Sequence, residues 1–198
     1  MPTPFLTAEW RKLAMANYIV DPAILLPYVP VGTELDPWIY PGESRKHFFI
    51  SLVGFMFLDT KVKGFKIPFH INFPEINLRF YVRYRDGDKW KRGVVFIKEI
   101  VSMPALSFVA NLMYKENYIT LQTAHSTIAT PGVLNVEYRW KKNQWNVLRV
   151  AAEKSSVPMN AGSEEEFILE HYWGYSKAGK KSIEYQVEHP RWEVYPVR

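Results

Sequence analysis

Four side chains that could grip a small molecule recur at every second position between Pro74 and Arg83. They are Glu75, Asn77, Arg79 and Tyr81, an acid, an amide, a cation and a phenol. A guanidinium presents a planar fork that matches a carboxylate or a phosphate through two parallel hydrogen bonds, and a neighbouring amide or acid can orient the fork or the ligand. The residues between them, Ile76, Leu78, Phe80 and Val82, are all apolar. Strict alternation is the pattern of a β-strand, so a strand opening at Pro74 puts the polar set on one face and the apolar set on the other. Two readings follow: the polar face is solvated, as on the outside of an antiparallel sheet, or it lines a cavity. The alternation is the same in both.

The rest of the chain narrows the chemistry. Absence of cysteine from all 198 residues removes disulfides, thiolate nucleophiles and thiolate metal sites. His70, His171 and His189 show neither His-x-His nor His-Glu-x-x-His spacing, so no metal is expected. With no Gly-x-Ser-x-Gly elbow and no glycine-rich phosphate loop before a helix, no cofactor is expected either. Arg79, Arg83, Arg85, Lys89, Lys91 and Arg92 interleave with Tyr81, Tyr84 and Trp90, a mixture that single-stranded nucleic acid can use. Asp86-Gly-Asp88 marks a hairpin turn in their midst, which makes them mostly charges on a solvated ribbon, and nucleic acid is not an expected partner. The net charge of +5, from 25 basic and 20 acidic residues spread along the chain, reads as solubility.

The elements that must position these groups are mostly short strands. Trp10–Val20 reads as a first strand, followed by Asp21 as N-cap and Pro22 as first residue of a short helix that Pro27 and Pro30 stop. Val31–Glu43 reads as loop. Phe48–Leu58 is a strand buried on both faces, bent or closely approached at Gly54. The strand from Pro74 and a return strand at Gly93–Lys98 form a hairpin over residues 75–98. Ser102 is expected to cap a helix over Pro104–Lys115, where Leu106, Val109, Ala110 and Met113 recur at the spacing of a core-facing stripe. Glu137–Trp140 and Trp145–Val150 flank a hairpin tip. Ser163-Glu-Glu-Glu166 is a capping box for a helix running through Tyr172 and ended by Gly174, with two closing strands around Lys177–Lys181. The expected class is α+β, mainly antiparallel β, as a single domain over residues 1–198.

Asn72–Val82, Arg92–Phe96, Glu166–Tyr175 and Val187–Trp192 together resemble the YqjF-like family of uncharacterised proteins, over most of the chain and in the family's order. That family is similar in fold to acetoacetate decarboxylase, whose barrel-like domain holds an interior pocket and a lysine that forms a Schiff base with a β-keto acid. The resemblance implies an acetoacetate-decarboxylase-like β-barrel with two or three rim helices, and a polar strand face that lines its cavity. Arg79 would then clamp a carboxylate or phosphate, with Asn77, Glu75, Glu170, Tyr172 and His70 about it. The plainer alternative pairs Arg79 internally with Glu170 or Glu75.

The decarboxylase's reactive lysine lies just after a helix, in a proline-containing segment beside a second lysine, and Met113–Tyr118 departs from that pattern. If Asn117-Tyr118 matches the proline-lysine step, Tyr118 stands at the nucleophile's place and Lys115 lies about three residues early, as a helix-end charge beside Glu116. Lys115, Tyr118 and His189, a general base near Tyr118, are the catalytic candidates, and decarboxylase activity is not expected. The reading is a protein that binds, or binds and transforms, a small organic anion. The alternatives are an interaction module without catalysis and a lysine-dependent decarboxylase. No apolar run reaches the roughly 18 residues a membrane helix needs, and the start has no signal-peptide pattern, so a cytoplasmic protein without a membrane partner is expected. An exposed edge strand could pair two chains as a homodimer.

Overall fold

The computed structural model describes residues 4–198. The elements in chain order are β1 (Leu6–Ile19), α1 (Pro22–Leu25) running into a 3-10 turn (Leu26–Tyr28), β2 (Thr33–Leu35), β3 (Phe49–Val62), β4 (Phe73–Asp86), β5 (Lys89–Val101), α2 (Pro104–Tyr114) and β6 (Tyr118–Thr120). They continue with β7 (Gln122–Thr130), β8 (Val133–Lys141), β9 (Trp145–Ala152), β10 (Val157–Pro158), α3 (Glu164–Leu169), β11 (Trp173–Ala178), β12 (Lys181–Gln186) and β13 (Glu193–Val194). The mainly antiparallel α+β class is as expected.

One large sheet runs β1-β3-β4-β5 in antiparallel order, with β2 extending the β3 side of β4. The outer edge of β5 carries two short parallel partners. β11 pairs at Gly93 and Val94, β6 pairs at Glu99–Val101, and Val95–Lys98 lie between them; β12 then closes onto β11. The path β1-β3-β4-β5-β11-β12 is open among the described residues, since no pairing joins β1 to β12, so barrel closure is not seen. A second sheet, β7-β8-β9, covers one face of the first by packing Val136, Tyr138 and Leu148 against Met56, Ile76 and Ile100. Gly54 permits this approach, because a Cβ there would overlap the ring of Tyr138. We expect Gly54→Ala to destabilise the protein by about 1–3 kcal/mol, read as the urea midpoint, through overpacking of a full site.

The opposite face is covered by α2 and α3 and holds two apolar clusters. Val53, Phe55, Phe57, Phe73 and Val101 lie at one end, and Phe49, Tyr81, Val94, Phe167 and Ile168 at the other. Glu75, Asn77 and Arg79 occupy the stretch of β4 between Phe73 and Tyr81, so the polar set points inward rather than to solvent.

Three local expectations are corrected. Met103, not Ser102, is the N-cap of α2, because Pro104 takes the first helical position, and no side chain caps that end. The stripe on α2 is only half inward: Leu106 packs against the cluster of Val53, Phe55 and Phe57, and Ser107 beside it is buried, while Val109 and Met113 are exposed. Other inward positions satisfy polar needs, for Asn111 brackets the backbone of Tyr118 through its amide N–H and carbonyl, and Thr120 donates to Ser107. One half of the capping box at Ser163 forms, with the Ser163 hydroxyl accepting from the Glu166 N–H, while the Glu166 carboxylate reaches back to the Gly162 N–H rather than to that of Ser163. The helix ends at Leu169, and Gly174 lies in β11, flush against Tyr185. Among the described residues no helix is long and apolar enough to cross a membrane.

Candidate functional site

Cross-strand register builds the site. Val53 on β3, Asn77 on β4, Glu99 on β5 and Tyr118 on β6 lie side by side, with Glu75 and Arg79 two residues to either side of Asn77. A bulge helps: Leu78 pairs with Lys98 but Arg79 pairs with Phe96, so Ile97 is the extra residue, and Phe96 and Glu99 face the same side although three apart. Asn77 Nδ2 donates to Glu75 Oε1 at 3.1 Å and the Tyr118 hydroxyl donates to Glu75 Oε2 at 2.9 Å. Lys115, held in the left-handed region at φ 53°, turns the chain after α2 so that it points out while Glu116 points in.

Three glutamates are therefore buried within one neighbourhood. Burial pushes Glu75 up to about 7, with Glu116 adding to the push and Asn77, Tyr118 and Arg79 opposing it. Burial likewise lifts Glu116 to about 7, against the nearby Tyr185. Glu99 goes well above the ordinary carboxylate range through burial and through the charges of Glu75 and Glu116. Burial raises the Tyr118 and Tyr185 phenols as well, helped by the same acids, so these groups hold protons at neutral pH.

Arg79 breaks the pattern. It is 8% exposed, and among the described residues its guanidinium makes no hydrogen bond or ion pair; Nε is buried without a partner. The internal pairs with Glu170 or Glu75 that would neutralise it are absent. The contrast is Arg92, which donates to Asp36 at 2.6 Å and to the Phe167 carbonyl at 3.1 Å. His171 sits 3.7 Å from Asp36 and stacks near Tyr81, at 4.7 Å between centroids. Burial pulls His171 down to about 4, with Asp36 opposing. Tyr81 continues inward to Ser51 and Asn17 through two hydrogen bonds of 2.7 Å.

The other residues singled out from sequence are dispersed. Glu170 accepts from the Tyr172 hydroxyl, Tyr172 stacks on His189, and His189 stacks on Trp192, forming a separate aromatic group. His189 thus lies among these rings and forms no hydrogen bond with Tyr118 among the described residues. His70 touches the Pro68 carbonyl in the β3–β4 loop, and Lys115 is exposed. Sequence reasoning missed Glu99, Glu116, Tyr185, Asp36 and Arg92 as site members. The available signal was Glu99 standing, with Lys98, in the apolar run of Val94–Val101.

Among the described residues no group of three or more His, Asp or Glu is arranged to hold a metal ion. Two surface clefts stand out among the described residues, and Glu75, Asn77 and Arg79 line neither. The larger, of about 490 Å³, lies over the unpaired stretch of β5 and is lined by Phe96, Lys98, Asn117 and Lys177. The other, of about 330 Å³, is lined by Tyr84, Lys91 and Glu184.

Comparison with known proteins agrees with this architecture. The acetoacetate decarboxylase of Legionella pneumophila subsp. pneumophila str. Philadelphia 1 superposes with a TM-score of 0.57 at 13% identity, over 88% of this chain and 59% of that one. The enduracididine biosynthesis enzyme MppR complexed with pyruvate gives 0.59 at 12%, over 89% and 65%. An acetoacetate decarboxylase-like enzyme from Sphingomonas wittichii RW1 gives 0.55 at 12%, over 86% and 63%. At these identities the likeness is one of fold, and the chain spans about six-tenths of each structure. The uncharacterized protein YqjF of Bacillus subtilis (strain 168) is 36% identical over 88 residues, which are 44% of this chain and 32% of that protein. The sequence model of DUF2071, described as an uncharacterized conserved protein, matches residues 7–198, and the chain therefore belongs to the DUF2071 family.

Proposed function

We propose that the inward face of β4 binds a small organic anion, with Arg79 clamping its carboxylate. Asn77 and Glu75 orient the ligand, and the Glu75–Tyr118 pair hands over or accepts a proton. The carrying observation is the buried Arg79 guanidinium with no internal counter-ion, beside three carboxyls that burial drives toward their neutral forms. A buried cation is costly unless paired, and here the missing partner is supplied by the ligand. The chain's fold neighbours include an enzyme complexed with pyruvate, itself a small carboxylate. Access runs through the cleft over β5, where Asn117, between Glu116 and Tyr118 in the chain, latches onto the Phe96 carbonyl at 3.1 Å. Schiff-base chemistry has no support, since Lys115 faces solvent on the far side of that turn.

The test is thermal unfolding with acetate, pyruvate, acetoacetate and phosphate. A ligand at 100 times its Kd adds about 2.7 kcal/mol, a rise of roughly 5–10 °C for a domain of this size. The rise is expected with a carboxylate and lost in Arg79→Met. A flat response of the wild-type protein to every carboxylate at saturating concentration overturns the reading.

A further inference from the structure

The 11-residue helix α2, Pro104–Tyr114, carries no charged side chain and buries only part of its apolar surface, with Leu106 against the cluster of Val53, Phe55 and Phe57. Its polar residues Ser107 and Asn111 face the core, while Phe108 (69% exposed), Leu112 (58%), Met113 and Val109 face outward. A short helix ordinarily buries its apolar residues, so the four that α2 turns outward form an apolar surface with no partner within one chain. Beside its C-terminus, the Tyr114 ring meets Phe5 at 5.6 Å between centroids, and the Phe5 carbonyl accepts from Lys63 N–H at 2.8 Å. That contact leads to the β3–β4 loop, where Phe65 is 74% and Phe69 94% exposed, with Ile67 between them. Lys63 and Phe69 both sit at positive φ, 49° and 65°, which is uncommon for such side chains and holds the phenylalanine outward.

Lysines surround this apolar surface. Lys61 and Lys66 bridge to Asp59, while Lys63 and the exposed Lys115 form no ion pair among the described residues. We propose that α2 and the β3–β4 loop together dock the protein on an anionic lipid surface, with Phe65, Phe69, Phe108 and Leu112 entering the interface and the lysines meeting the headgroups. Apolar side chains at a projecting tip, interleaved with cations, are what a negatively charged, deformable surface accepts. A second copy of the chain fits less well, because a two-fold contact brings the same lysines face to face and Asp59 is already engaged. Surface attachment requires no spanning helix, so the lack of one, from which a membrane partner was not expected, does not bear on it.

The experiment is co-sedimentation of the full chain with vesicles of phosphatidylcholine alone or mixed with phosphatidylglycerol, together with light scattering of the protein alone. Binding to the mixed vesicles that weakens with added salt is expected. It should fall about tenfold for each phenylalanine withdrawn in Phe65→Ser and Phe69→Ser, and about fivefold for each of Lys63→Gln and Lys115→Gln. Leu112→Ser on α2 should weaken it as well, whereas Ile24→Ser, exposed on α1, should leave it unchanged. These positions are exposed, so the variants remain folded. Absence of sedimentation with mixed vesicles overturns the proposal; if the protein then dimerises and the same variants abolish the dimer, the face belongs to a second copy.

Discussion

Glu75→Gln will flatten a stability profile that otherwise falls steeply as pH rises from about 5 to 8. Glu75 and Glu116 titrate near 7 in the folded chain against 4.5 for an ordinary glutamate in water, and Glu99 is displaced well upward with them. For an acid whose folded pKa is raised, the stabilisation is fully present below the unfolded pKa and is lost as pH climbs through the folded one. Glu75 and Glu116 therefore each withdraw up to about 3 kcal/mol across that window, Glu99 acts in the same direction, and the three interact closely enough to titrate as one unit. His171 works in the opposite sense. Held down to about 4, it is neutral when folded, so its contribution is present above the unfolded value of 6.5 and is lost as pH falls toward 4. With three carboxyls against one imidazole, maximum stability is expected near about pH 5. Urea midpoints at pH 5, 6.5 and 8 check this; equal midpoints for the wild-type protein would show that the cluster is ionised and paired.

Arg79→Met is expected to raise stability by about 1–3 kcal/mol, while Arg92→Met, at a side chain 32% exposed, lowers it by about 1–3 kcal/mol, although both remove a guanidinium from neighbouring strands. Arg92 leaves the buried Asp36 with His171, 3.7 Å away, as its remaining partner, whereas Arg79 leaves no hydrogen bond or ion pair, only the face of the Tyr81 ring at 5.8 Å. The methionine fills much of the arginine's volume and carries no charge to desolvate. Thermal unfolding of the two variants at pH 6.5 separates the cases, and a large loss in Arg79→Met would mean that the guanidinium has an internal partner. A gain in stability with a loss of ligand response is the signature of a residue kept for binding at the expense of folding.

The strand bearing the polar face was legible because period-two alternation survives in Glu75–Val82 whatever covers it. Its burial was not, since solvated and interior faces share that period. Glu99 escaped notice because the Ile97 bulge shifts the alternation by one residue, and such a shift leaves no mark in composition. Glu116 was legible only as the neighbour of Lys115, and it is the left-handed turn at Lys115 that sends it inward. The error on α2 is of another kind: the inward side is centred on Leu106, Ser107, Ala110 and Asn111, so half of the expected stripe is turned outward, and spacing alone does not place the centre of a face. Gly174 stops helices when it follows one, yet here tertiary packing under Tyr185 took precedence over local preference.

The divided edge of β5 has a mechanical consequence. The β11–β12 hairpin is joined to the main sheet by two residue pairs, whereas β4 and β5 share eleven. The amide protons of β12 are therefore expected to exchange with solvent through partial opening, well before those of β4, because that seam has the fewest bonds to break. Tyr185 leaves with the hairpin, so each such breath would first wet Glu116, making a buried acid of the interior the one most often visited by water.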